Sequence, residues 1–171
     1  MYTKKNKIWK LHVYTCIFAL SMKLEEAIQS NKFKSEMQKA GLNIMYTSWW
    51  LKTLGYKELK EFGLTHEQYN VLRILKGKHP QQMCVKDIAS RMIEKNSNVP
   101  RIIDRLTDKS LVKREQGCED ARQTVMSLTV TGLQVLETST IKLDAMWNQT
   151  MPLTEKEAKT LNELLEKITT S

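Results

Sequence analysis

The chain has 171 residues, room for one domain with a real core and little for a second. Hydrophobic residues at 41%, charged residues at 27%, and only six Gly and three Pro describe an ordinary globular protein and exclude collagen-like, low-complexity and disulfide-scaffold classes. The formal charge of +8 points to an anionic partner or a solvated basic face.

Residues 1–22 carry four Lys and no acid. Lys4, Lys5 and Lys7 precede the apolar "VYTCIFAL", but Lys10 and His12 interrupt the approach, a poor export signal. The stretch is also too short to span a bilayer. It reads as an extension, with Met22 a candidate first residue and export or anchoring as the lesser reading.

The spacing of Phe33, Met37, Ala40, Ile44 and Met45, continued by Trp49, Leu51 and Leu54, predicts a long helix over 33–60. "LTHEQYNVLRIL" starts the next helix, with Thr65 as N-cap, Gln68 at the third position and Leu64 and Tyr69 as a hydrophobic staple. Gly77 and Pro80 break it. "CVKDIASRM" predicts a short helix over 85–92, opened by a small apolar Cys84, and a tight connection through Glu94 and Lys95 leads to another over about 96–109.

These two helices fit a helix-turn-helix. Ile88, Ala89, Met92, Val99 and Ile102 supply the apolar contacts, although many packed helix pairs would satisfy that spacing. The outer face is more informative. Val99, Ile102, Ile103 and Leu106 gather on one side, and Ser97, Arg101 and Asp104 point away, flanked by Asn98, Pro100 and Arg105. Pro100 costs little in a first turn, and a helix N-terminus favours phosphate. Such an end fits a major groove, with Arg and Asn available for base edges.

Leu111–Gln116 and Arg122–Leu128 are predicted strands around a loop over Gly117–Ala121. A hairpin directly after a reading helix is a wing. Arg122 at its tip can reach a minor groove, and Lys113 and Arg114 can meet phosphates. Six cations lie in 95–114 against Asp104 and Asp108, whereas 123–171 holds four Lys against six acids, so the positive charge is local.

Thr129 caps a further helix carrying Leu133, Leu136, Leu143 and Trp147. Pro152 separates it from a last one, with a capping box of Thr154 and Glu157 and a stripe of Ala158, Leu161, Leu165 and Ile168. The long first helix and the last two carry more apolar surface than a small winged domain can cover, which predicts a homodimer and two half-sites about 10 bp apart.

The fold expected is therefore mainly α with a small β-hairpin wing: a winged helix-turn-helix with N- and C-terminal dimerisation helices. Its segments are an extension (1–22), an N-terminal dimerisation region (23–63), the DNA-binding region (64–128) and C-terminal dimerisation helices (129–171), forming one compact domain.

"LTHEQYNVLRIL", "VKDIASRM", "NSNVPRIIDRLTDKSLVKR", and Asp120-x-Arg122 followed by Met126-x-Leu128-Thr129-x-x-Gly132 resemble the MarR (multiple-antibiotic-resistance regulator) family. That resemblance implies a homodimeric repressor of a pseudopalindromic operator, responsive to a small aromatic effector, while three cysteines, an odd count that makes a disulfide framework unlikely, point to a reducing cytoplasm. It also implies that Asp120 orients the wing, that Arg122 enters the minor groove, and that the region from Asn98 to Arg105 reads the major groove. Tyr46, Trp49 and Trp50 are candidates for an effector cleft, although an aromatic run on an apolar helix is more often interface core. Ser110 stands where the family usually has Gly, at a position that often needs positive φ.

Two rival readings stay open. A helical scaffold for a protein partner would keep the winged helix without using it on DNA. A redox-responsive regulator would act through Cys118, whose neighbours Arg114 and Arg122 favour thiolate while Glu119 and Asp120 oppose it. Cys16, Cys84 and Cys118 show no metal-ligand spacing, and His12, His66 and His79 lie in unrelated segments. No enzyme motif, metal site or cofactor is expected.

Overall fold

A computed structural model describes residues 22–117 and 124–170. It divides into two compact units, Met1–Leu54 and Gly55–Ser171. The division falls inside the long helix, whose last turn carries the fully buried Leu59 and belongs with the second unit.

In the first unit a short helix, α1 (Leu24–Ala27), precedes the long helix α2 (Glu36–Lys60) and was not expected. Glu25 pairs with Lys39 at 2.5 Å, and the same ammonium lies 5.4 Å from the centre of the Phe33 ring. α2 begins at Glu36 rather than 33 because Ser35 Oγ accepts from the Gln38 N–H at 3.2 Å, while Gln38 Oε1 accepts from the Lys34 N–H at 2.8 Å. This reciprocal pair holds the chain outside the helix up to Ser35. Along the helix Met37 (84% exposed), Met45 (70%) and Trp49 face solvent.

In the second unit α2 ends in a Schellman turn. The Leu64 N–H reaches the Leu59 carbonyl at 3.1 Å, the Gly63 N–H reaches that of Lys60 at 3.0 Å, and Gly63 takes φ +64°. Thr65 then caps α3 (His66–Lys76) through the expected box with Gln68. Such a cap contributes about 1 kcal/mol. Tyr69, Val71, Leu72 and Leu75 form its buried face, and Tyr69 Oη lies 3.0 Å from Thr140 Oγ1.

A two-residue strand, β1 (Met83–Cys84), leads into α4 (Val85–Arg91), then α5 (Val99–Asp108), β2 (Val112–Gln116) and β3 (Thr124–Leu128). The sheet is antiparallel with order β1-β3-β2. β1 was not anticipated; Cys84 does open α4, but its backbone also pairs with Val125 of the wing. Ile88, Met92, Val99, Ile103, Leu106 and Met126 are almost wholly buried, joining α4, α5 and the inner wing strand in one core. Burial of each is worth about 1.5–3 kcal/mol.

Thr129 caps α6 (Val130–Thr150) by accepting from the Gly132 N–H at 2.9 Å, and Thr154 with Glu157 caps α7 (Glu155–Thr169). No residue of α7 is buried; its stripe of Leu161, Leu164, Leu165 and Ile168 lies exposed.

Candidate nucleic-acid interface

α5 starts at Val99, three residues later than its sequence pattern suggested, because Asn98 is the N-cap: its Oδ1 accepts from the Arg101 N–H at 3.2 Å. An asparagine side chain that engages the helix end from outside stops the helix growing backwards. Pro100 occupies the second position, where its missing N–H costs nothing. Asn98, Pro100, Arg101 and Arg105 are exposed, as expected.

Two positions differ. Ser97 does not point outward; it is half-buried, and its hydroxyl is enclosed with no hydrogen-bond partner among the described residues. As the residue before the cap it lies in the turn, not on the helix. Ile102 is half-buried, leaving Val99, Ile103 and Leu106 as the buried face.

Lys113 and Arg114 are adjacent on β2 and therefore face opposite sides of the wing stem. Arg114 Nη2 lies 2.6 Å from Asp104 Oδ1 on α5, and Lys113 Nζ lies 3.0 Å from Glu115 Oε1, two residues along the same strand face. Both pairs are exposed. Pairs of that kind are worth at most about 1 kcal/mol and yield readily to a competing anion. Asp120, Arg122 and Cys118 lie outside the described residues. Tyr46 and Trp49 form a tilted ring pair with centroids 5.7 Å apart, and the half-buried Trp50 holds an indole N–H without a partner among the described residues.

Lys109, which the sequence offered only as one more cation, is an anchor. Its ammonium donates to the Gly63 carbonyl and to Gln68 Oε1 (3.2 Å), tying the end of α5 to the turn before α3. No local spacing signals such a contact, since its partners lie more than forty residues away. No helix among the described residues is long and apolar enough to cross a membrane.

Residues 64–124 match the family model described as MarR family. No curated protein matches the chain. Among solved structures, a MarR transcription factor from Planctomyces limnophilus is 29% identical, covering 82% of this chain and 100% of that one with a TM-score of 0.61. A complex of S. aureus MepR with DNA is 23% identical (76% and 94% covered, TM-score 0.67), and CouR from Rhodococcus jostii RHA1 bound to p-coumaroyl-CoA is 18% identical (80% and 95%, TM-score 0.68). The last two identities speak for the fold alone. The capped helix α5, the paired strands β2 and β3 and the family match lie across the same residues, so residues 64–124 are similar to the MarR family of winged-helix transcription regulators.

Proposed function

We propose that this chain is a homodimeric, ligand-responsive repressor that binds a pseudopalindromic DNA operator. The observation carrying this reading is the N-terminal end of α5, where Asn98, Pro100, Arg101 and Arg105 stand exposed on a helix whose opposite side is locked in the core. Arg101 and Arg105 then read base edges in the major groove. Arg122, oriented by Asp120, enters the flanking minor groove, while Lys113 and Arg114 exchange their carboxylate partners for phosphates. Ser97, with its hydroxyl turned inward, contributes backbone only. The DNA complex of MepR supports this mode of use for the shared fold.

The second copy covers the apolar faces left open: Leu161, Leu164 and Ile168 on α7, Ile141 and Trp147 on α6, and Met37, Met45 and Trp49 on α2. Twofold symmetry spaces two reading helices about one DNA turn apart. The effector is a small aromatic compound taken up near Tyr46, Trp49 and Trp50, where the unpartnered Trp50 N–H offers a donor. The acyl-CoA complex of CouR is the precedent among similar folds. An effector releases DNA only by binding the two dimer geometries unequally.

Sedimentation equilibrium together with footprinting on DNA upstream of the chain's own coding sequence tests the proposal. A dimer protecting two half-sites one turn apart is expected. A monomer that gives no mobility shift in dilute salt would overturn it, and would leave a protein-binding scaffold as the better account.

A further inference from the structure

Asp104 is the one polar residue on the outer side of α5, between two arginines, that the DNA-binding reading leaves without a role. It lies one turn after Arg101 and next to Arg105. At the angular step of a helix the three side chains leave α5 within about 100° of one another, with Val99, Ile103 and Leu106 buried on the opposite side. Arg101 and Arg105 make no ion pair among the described residues. Asp104 pairs instead across elements, its Oδ1 accepting from Arg114 Nη2 of β2 at 2.6 Å. Its second oxygen accepts no hydrogen bond among the described residues, and the side chain is 57% exposed, open to a ligand.

An exposed pair joined through a single nitrogen and oxygen returns little stability to the fold. An acid in the middle of that stripe also weakens attraction to every duplex alike. Its effect is therefore felt in which duplex is bound, not in how tightly duplexes are bound in general.

Arg114 shares its side of β2 with the buried Val112, toward α5. A sugar–phosphate strand separates a major groove from the neighbouring minor groove. With α5 in the one and the β-arm in the other, that strand passes where Arg114 stands, and phosphate takes its guanidinium. The Asp104 carboxylate is then left acceptor-only, facing base edges. Guanine presents N7 and O6 acceptors there, thymine O4, and adenine N7 beside its amine. Cytosine alone offers an amine with no acceptor of its own.

We infer that Asp104 is a specificity-determining residue whose carboxylate accepts from the N4 amine of one cytosine in each half-site. Guanine and thymine at that position are repelled. This deepens the DNA-binding reading above and rests on it.

Selection of the full-length protein on randomised duplexes, repeated for Asp104→Ala and Arg114→Ala, tests the assignment. Both side chains are exposed, so neither substitution opens a cavity. The wild type is expected to prefer cytosine about tenfold at one position per half-site. Asp104→Ala should flatten that position to within about twofold, leave the other positions as they were, and bind unselected DNA about threefold more tightly. Arg114→Ala breaks the same tie from the other end; it should weaken all sequences alike and keep the cytosine. Were Asp104 only a tie between helix and wing, both variants would lose the same preference, and that result overturns the inference. Loss of a preference for any other base in Asp104→Ala overturns it as well. A wild type that enriches no common sequence refutes the operator reading and this inference with it. A common sequence left unchanged by Asp104→Ala refutes this inference alone.

Discussion

The carbonyl oxygen of Leu111 lies where a side chain on Gly132 would have to go: a Cβ built there sits 2.0 Å from that oxygen. The two residues join the exit from α5 to the first turn of α6, and Thr129 completes the joint by donating its hydroxyl to the Ser110 carbonyl at 2.7 Å. Glycine is therefore required by contact, not by backbone freedom.

Gly132→Ala is expected to lose about 2–4 kcal/mol, because the obstacle is backbone and cannot rotate away. Urea unfolding checks this; a loss under about 0.5 kcal/mol would mean the joint is looser than described.

Ser110→Gly should do the reverse. The Ser110 N–H reaches the Thr107 carbonyl at 2.8 Å and the Leu111 N–H that of Leu106 at 3.0 Å, a Schellman turn with serine at φ +57°. Glycine relieves about 1 kcal/mol and raises Tm by roughly 2–4 °C, read by calorimetry.

Asp104→Asn removes an acid from the reading helix and releases Arg114. DNA affinity at low salt is expected to rise roughly threefold to tenfold with a steeper salt dependence, and stability to change by less than about 0.5 kcal/mol. Salt-titrated mobility shifts decide it, and adding Arg114→Ala should cancel much of the gain.

Arg101→Ala and Arg105→Ala should each cost about 1–3 kcal/mol of binding and relax specificity at particular bases. Arg122→Ala should weaken binding and lower the salt slope by about one. Selection from randomised operators separates the two classes: a uniform loss in the α5 variants would reduce those arginines to phosphate contacts.

The Glu157 carboxyl is held below its ordinary value near 4.5, first by the Thr154 backbone N–H and then by the Thr154 hydroxyl. Its folded value is thus below its unfolded one, so its stabilisation of α7 is present above the ordinary value and fades as pH falls through the lowered one. Carbon-detected NMR should show Glu157 titrating below the ordinary glutamate value. Glu157→Gln, which keeps the capping geometry, should flatten the acid dependence of α7 helicity.

These tests also mark what the sequence could reveal. The boxes at Thr65–Gln68 and Thr154–Glu157 were legible because both partners lie within one turn. The strand alternation of 112–116 and 124–128 was legible for the same local reason. The family pattern named Gly132 and flagged Ser110, but not the Leu111 carbonyl or the turn that demands them. The start of α5 was misplaced because Asn96, Ser97 and Asn98 are all plausible caps, and only the Asn98 bond to the Arg101 N–H selects one. The Arg114–Asp104 pair and the Lys109 anchor needed the folded arrangement, since no periodicity encodes a contact between separate elements.

The pairing of Met83 and Cys84 with Met126 and Val125 has a mechanical consequence. It stitches the entrance of the helix-turn-helix to β3, so a swing of β3 against α4 would break that pairing. In the dimer proposed above, each half-site is then gripped or surrendered by helix and β-arm together. Release from an operator should therefore proceed in two discrete steps, one per copy, with no state in which a copy keeps its helix seated and its arm withdrawn.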